Sequence, residues 1–243
     1  MRRHRAKLAS AAKRANPKLK AKQERRAARE RETAARIISL QLPGRRYGVI
    51  VEDPEWRDEV WSRETGLDRS PDNHYATSPA GIILARDEVA KLAAADCVLF
   101  LWSTIQHEAI AHEVMKARGF AYRSQVIWKK PSIGMGRWVR SLHEILLIGT
   151  RGKIPCPAPG KQWPSVIEAP RGAHSEKPDK FYVLIESYFP TIPKIELNAR
   201  RRRRGWDSYG PEAPDTSNDR DKAGRVSMVL SPRVPSLSWR PAY

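Results

Sequence analysis

A carboxylate, a proline and an indole stand together in Asp53-Pro54-Glu55-Trp56, directly after the apolar run Tyr47-Gly-Val-Ile-Val-Glu52. The run reads as a buried strand, and Asp-Pro as the turn that ends it. Such a turn suits a reaction at an exocyclic amine conjugated to an aromatic ring, the N6 amine of adenine being the case in nucleic acid. The lone pair of that nitrogen is delocalised into the ring, so the nitrogen is a poor nucleophile. Two acceptors on its N–H bonds draw it towards a pyramidal geometry that frees the lone pair. The Asp53 carboxylate and the Pro54 carbonyl, held on a stiff turn, are two such acceptors. Trp56 can hold an extruded base by stacking, and the carboxylate can offset the charge of a cationic methyl donor. Glu55 adds a second carboxylate beside the acceptor position. An isolated Asp-Pro at a strand end is more often only a turn, so the reading depends on what accompanies it.

The companions follow in order. They are Leu99-Phe-Leu-Trp102, Val126-Ile-Trp-Lys-Lys130, Gly134-Met-Gly-Arg-Trp138 and His143-Glu-Ile-Leu-Leu-Ile-Gly149. After these come Ser175-Glu-Lys-Pro178, Lys194-Ile-Glu-Leu-Asn-Ala-Arg200 and Gly205-Trp-Asp-Ser-Tyr-Gly210. Over roughly residues 45–212, the series resembles the adenine-N6 methyltransferase family marked by an Asp-Pro-Pro-Trp motif. Eukaryotic members of that family write N6-methyladenosine in messenger RNA, and its bacterial and phage members act on DNA.

The resemblance implies S-adenosylmethionine as cofactor, with Asp53-Pro54-Glu55-Trp56 as the catalytic turn and Asp53 also facing the donor. Lys177 resembles the lysine that pairs with the carboxylate of the donor's methionine part. Glu196 resembles the acid that takes the ribose hydroxyls, and a carboxylate can accept from both at once. Asn198 and Arg200 fall in the same cofactor pocket. Tyr75, in Asp72-Asn-His-Tyr75, falls in the loop that closes over the acceptor base, where it and Trp56 confine the ring. The donor-binding elements lie C-terminal to the catalytic turn, the permuted order of this group. A Gly-rich phosphate loop is not expected, because the donor has no phosphate to cradle. Three positions depart from the family pattern: Glu55 stands for the second proline, Asn198 for a phenylalanine and Pro211 for an asparagine.

The elements that must position these residues read as alternating strands and helices. Further strands are expected at Cys97–Trp102, Tyr122–Trp128, Ile145–Ile148 and Ile192–Ala199. A helix over 105–118 keeps Ile105, Ala109, Ala111, Val114 and Met115 apolar, and Gly119 stops it. Pro178 opens another helix, with Phe181, Leu184, Ile185 and Tyr188 on one face and Pro190 at its end. The alternation implies an α/β fold: a doubly wound, mostly parallel sheet with helices on both faces, of the type found in S-adenosylmethionine-dependent methyltransferases. Ligands in such sheets sit beyond the carboxyl ends of strands.

Composition frames the partners. The chain of 243 residues carries a formal charge of +18, which favours a polyanionic partner, nucleic acid first. Residues 1–36 hold fourteen Lys or Arg against three Glu, eleven of the net positive charges. Rich in Ala and nearly free of large apolar side chains, this segment reads as a basic, helix-prone arm. It is solvated and cannot dock on a core; it either orders on a phosphate backbone or is merely a soluble tail, and the sequence favours neither. Residues 37–212 form the methyltransferase domain and 213–243 a flexible tail rich in Pro, Ser, Asp and Arg. Arg201, Arg202, Arg203 and Arg204, with Lys130 and Arg137, are the candidate phosphate contacts; a charge run is otherwise a solvated face. Tryptophans 102, 128 and 138 read as core or wall residues rather than base stackers.

No apolar run approaches the ~20 residues of a membrane span, and no secretory signal opens the chain. Two cysteines, Cys97 and Cys156, are too few for a disulfide framework or a Cys-based zinc site. His107-Glu108 and His112 miss metalloprotease spacing by one residue, which turns the rings about 140° apart. The expected chain is thus a cytoplasmic adenine-N6 methyltransferase without a metal, acting on DNA ahead of RNA, with a homo- or heterodimer with a related subunit compatible. The alternative is a catalytically silent module of the same fold that binds nucleic acid or activates a partner.

Overall fold

The computed structural model describes residues 17–57, 77–134, 138–172 and 176–213. The Tyr75 and Arg137 expectations lie outside these described residues, as do residues 1–16 of the arm and 214–243 of the tail. Seven strands form one sheet: β1 (Tyr47–Glu52), β2 (Ala93–Ser103), β3 (Ala121–Lys129), β4 (His143–Arg151), β5 (Val166–Glu168), β6 (Lys194–Leu197) and β7 (Trp206–Tyr209). Their order is β5-β3-β4-β2-β1-β6-β7. Every pairing is parallel except those of β4, which runs against both β2 and β3. The α/β, mostly parallel architecture expected from the alternation is present, with one reversed strand inside it.

Side-chain alternation in the central strand creates two cores. Cys97, Leu99 and Leu101 of β2 point to one face, where they pack with Ile83, Val89, Leu92, Ala111, Val114 and Met115. Val98, Phe100 and Trp102 point to the other, against Phe181, Leu184, Ile185 and Phe189. The first face is covered by α2 (Ala80–Ala85), α3 (Glu88–Leu92) and α4 (Glu108–Ala117), and the second by α5 (Asp179–Tyr188). Helix α4 ends as its sequence says it should. Gly119 takes φ +83, its N–H donates to the Lys116 carbonyl at 2.9 Å, and the Phe120 N–H reaches Met115 at 3.2 Å. That is a Schellman cap, which a side chain bearing Cβ would resist.

Since α2 to α4 lie on one face and α5 on the other, the chain leaves β1 towards β2 and returns on its far side as β6. The crevice beyond β1 and β6 is therefore a switch point, where such sheets bind ligands.

Among the described side chains of the basic arm, Lys20, Glu24, Arg25, Arg31 and Glu32 are exposed, and the contacts with the domain lie at its C-terminal end. Helix α1 (Pro17–Ser39) runs past residue 36, and Thr33 and Leu40 line a cavity of the domain. Arg36 donates to the Ala213 carbonyl at 3.0 Å. These contacts tie only the C-terminal end of the helix and the residue after it to the domain. No helix among the described residues is long and apolar enough to cross a membrane.

Candidate active site

Register brings the site together. Glu52 stands opposite Leu197, so the next residues, Asp53 and Asn198, leave the sheet side by side. Trp102 lies near the end of β2 and Lys130 just beyond β3. Glu144 is the second residue of β4, whose reversed direction puts its start at this same edge. Asn198 adopts φ 59, a left-handed conformation that asparagine tolerates better than most residues. From there its Nδ2 donates to the Asp53 carbonyl and to Glu55 Oε2, each at 3.1 Å.

The charges at the edge alternate. Lys177 Nζ donates to Asp53 Oδ2 at 2.7 Å, lies 3.6 Å from Glu144 Oε2 and 5.2 Å from the Trp102 ring centre. Lys130 also donates to Glu144 and lies over Trp128 at 4.7 Å. Burial pushes the Glu144 carboxyl up, but Lys177 and Lys130 more than offset this and hold it below the ordinary range. Glu196 takes the Tyr182 hydroxyl at 2.7 Å. Burial pushes Glu196 up, and although the Tyr182 bond counters this, the charge of Asp53 adds to the rise. Asp53, Lys177 and Glu196 thus share one electrostatic neighbourhood.

A cavity of about 340 Å³ opens beside them, lined by Asp53, Glu55, Asn198, Arg200 and Gly210 among others. Lys177 and Glu196 do not line it. Asp53 joins the two regions, because it faces the cavity and accepts from Lys177. Arg200 is held by Glu212 at 3.0 Å. The donor set fits the cofactor expected: an ammonium for a carboxylate, a carboxylate for a diol, and a second carboxylate for a sulfonium. Among the described residues, no cluster of His, Cys, Asp and Glu could hold a metal ion.

Trp56 is buried at 6% exposure. Its Nε1 donates to the Trp102 carbonyl at 3.1 Å, and its ring stacks on His107 at 5.1 Å with planes 16° apart. One indole face is therefore occupied by an imidazole, a partnership that chain position did not reveal. The Pro54 carbonyl accepts the Trp56 N–H at 2.8 Å, and a carbonyl oxygen has a second lone pair to accept with.

The arginine run divides by parity. Arg201 donates to Glu176 at 3.0 Å and Asp179 at 2.5 Å. Arg203 donates to Glu186 at 2.6 Å and Asp179 at 3.1 Å. Both guanidinium groups lie over the Tyr182 ring, whereas Arg202 and Arg204 are exposed. Trp102 and Trp128 are buried as expected, but Trp138 is 98% exposed and is neither core nor wall.

Arg86, Ser78, Glu144 and Tyr182 were not legible as site residues, because only the fold brings them to this edge. Gly210 is a further case. At φ +135, a Cβ there would sit 2.8 Å from Asn198 Cα and 2.9 Å from its N. Gly210→Ala is expected to destabilise the chain by about 1–3 kcal/mol and to weaken donor binding several-fold. Thermal unfolding and calorimetry with S-adenosylmethionine check this; an unchanged melting point with unchanged affinity contradicts it.

Comparison with known proteins agrees with this architecture. The MT-A70 family matches residues 47–212. The Type II methyltransferase M.MunI of a Mycoplasma species is 32% identical over 201 residues, covering 76% of this chain and 86% of that protein. The N(6)-adenosine-methyltransferase MT-A70-like protein of Arabidopsis thaliana is 28% identical over 179 residues, or 68% of this chain and 23% of that one. The N(6)-adenosine-methyltransferase catalytic subunit METTL3 of Homo sapiens is 27% identical over 177 residues, 68% of this chain and 27% of that one. The chain therefore spans most of the first relative and about a quarter of the other two. With the matched region containing the acceptor turn, the alternating charges and the crevice beyond β1 and β6, this chain belongs to the MT-A70 family of adenine N6-methyltransferases.

Proposed function

We propose that the chain transfers a methyl group from S-adenosylmethionine to the N6 amine of adenine in DNA. The observation that carries this reading is Asp53: its carboxylate accepts Lys177 at 2.7 Å and also faces the cavity. DNA comes first because the match to the Type II methyltransferase covers most of both chains. The cofactor, when bound, supplies an electrophilic methyl carbon whose bonding pair returns to sulfur as the methyl leaves.

This chain's residues do the rest. Lys177 pairs with the cofactor's carboxylate and Glu196 takes its ribose hydroxyls, while Asn198 and Arg200 wall the pocket. Asp53 and the Pro54 carbonyl accept from N6 and orient its lone pair, and the carboxylate takes the proton that N6 gives up. Trp56 and Tyr75 confine the base, which leaves its stack to reach the turn.

Exposed Lys20, Arg25 and Arg31 of α1, with Arg202 and Arg204, track phosphates without reading sequence. Residues 37–212 carry the chemistry, and the working compartment is the cytoplasm. Dimerisation with a second copy or a related subunit is compatible with this reading.

Wild-type chain, labelled S-adenosylmethionine and adenine-containing DNA should yield labelled N6-methyladenine. RNA runs in parallel, since two relatives carry N(6)-adenosine in their names; labelling of RNA alone overturns the choice of DNA. A silent module would show little cofactor binding by calorimetry and keep salt-sensitive DNA affinity.

A further inference from the structure

Glu55 is the centre of the acceptor turn, and its carboxylate is fully engaged. Oε1 accepts the Ser78 hydroxyl at 2.7 Å and Arg86 Nη2. Oε2 accepts Arg86 Nη1 at 3.0 Å and Asn198 Nδ2 at 3.1 Å. A carboxylate offers about four acceptor sites, so Glu55 has none left for an incoming amine. The Arg86 contact is bidentate, the geometry that fixes orientation as well as distance. With side-chain exposures of 21% and 16% the pair is largely withdrawn from water.

The backbone shows what the clamp holds. The Trp56 N–H reaches the Pro54 carbonyl at 2.8 Å, closing a three-residue turn on Glu55. Among the described residues only Asn198 has positive φ without being glycine, so the turn is the inverse γ form, with φ near about −75° at its centre. A proline ring fixes φ at about −65°. The φ at position 55 is thus one that a proline ring would fix covalently and that a glutamate holds through its contacts.

The donors come from three separate places: Asn198 from the end of β6, Arg86 from the end of α2, and Ser78 just before α2. Ser78 is tied to the turn a second time. Its N–H donates to the Glu55 carbonyl at 2.8 Å, and its carbonyl accepts the Arg57 N–H at 3.1 Å. Asn198 meanwhile holds the Asp53 carbonyl at 3.1 Å.

Resting on the functional reading above, we infer that Arg86 is a positioning residue: through Glu55 it stiffens the acceptor turn so that Asp53 and the Pro54 carbonyl stay aimed at N6. Glu55 serves the turn and not the base. Loss of a merely stabilising ion pair would lower the folded fraction and leave turnover per folded molecule intact; loss of a clamp on the turn changes turnover itself.

The test uses the full chain and three variants. Arg86→Ala should lower kcat on the order of 10²-fold, the loss expected when reacting groups are misplaced by about 1 Å. Its S-adenosylmethionine affinity should change less than about threefold, on the same scale. Amide exchange at residues 55–57 should quicken. Arg86→Lys, which keeps the charge but not the fork, should recover only part of kcat. Glu55→Pro combined with Arg86→Ala should recover most of it, because the ring supplies the turn that the clamp supplied. Unchanged exchange at 55–57 in Arg86→Ala, or a kcat that tracks only the folded fraction, overturns the clamp; so does failure of the proline to rescue. Absence of methylation by the wild-type chain sinks the functional reading instead, and the exchange measurement tells the two failures apart.

Discussion

Asp53→Asn should lower kcat for adenine methylation about 10³-fold, within the range for loss of a positioned proton acceptor. The substitution keeps the size of the side chain and one acceptor oxygen, so the turn stays filled. It removes the negative charge and places an amide where a carboxylate accepts Lys177 at 2.7 Å. An amide cannot take the proton that N6 must lose. The same change has a signature in binding. S-adenosylmethionine carries a sulfonium cation and S-adenosylhomocysteine a neutral thioether, so the variant should lose affinity for the first and little for the second. Calorimetry with both ligands and single-turnover methylation of DNA measure the two effects. A kcat within tenfold of wild type, or an equal loss of affinity for both ligands, would remove Asp53 from the centre of the chemistry. Glu196 offers a control. The charge of Asp53 contributes to holding its carboxyl above the ordinary range, so the variant should lower that value.

The parts of this arrangement that were legible in the sequence are those written in local pattern. The unbroken apolar run Cys97–Trp102 gives a strand buried on both faces, and Gly119 gives a helix end. The spacing of Phe181, Leu184 and Ile185 gives the face that covers one core. The reversal of β4 was not legible: Ile145–Ile148 is apolar on both faces, and such a strand packs equally well in either direction. Strands β5 and β7, of three and four residues, are too short for a period to show. Glu55 could be seen only as a charge replacing a proline. Its meaning needed Ser78, Arg86 and Asn198, which lie 23, 31 and 143 residues away. His107 looked like a failed metal ligand and is a stacking partner of Trp56. Long-range pairing of this kind leaves no periodic trace, so it becomes visible only once the sheet has set which residues meet.

Arg118→Met should be the most destabilising of these changes, by about 3–5 kcal/mol, because it strands a buried carboxylate. Arg118 is 1% and Glu52 3% exposed, and the guanidinium Nη2 donates to Glu52 Oε1 at 3.1 Å. The same group donates to the carbonyls of Ile83 at 2.7 Å and Leu84 at 3.3 Å, and to that of Arg86. These carbonyls lie at the C-terminal end of α2, where intrahelical donors run out; that of Ile83 also accepts the Arg86 N–H at 3.3 Å. Burial already pushes the Glu52 carboxyl above its ordinary 4.5, against the charge and hydrogen bond of Arg118. Removing Arg118 raises it further. A carboxyl with a raised folded pKa favours the folded state while protonated, and that contribution is lost as pH rises through the folded value. The deficit of the variant should therefore be smaller near about pH 5.5 than near about pH 8. Glu55 and Glu144 are held low, so their contribution is present above 4.5 and fades only as pH falls through their depressed values; both remain intact across that window. Urea unfolding at the two pH values reads the difference. Arg118→Met with Glu52→Leu should regain much of the loss, leaving the α2 carbonyls as the residue of the cost. A pH-independent deficit would mean that packing, rather than the stranded charge, holds this corner. Because Glu52 precedes Asp53 and Arg118 holds the Arg86 carbonyl, the folded fraction of Arg118→Met should also turn over more slowly, in the manner expected of a loosened acceptor turn.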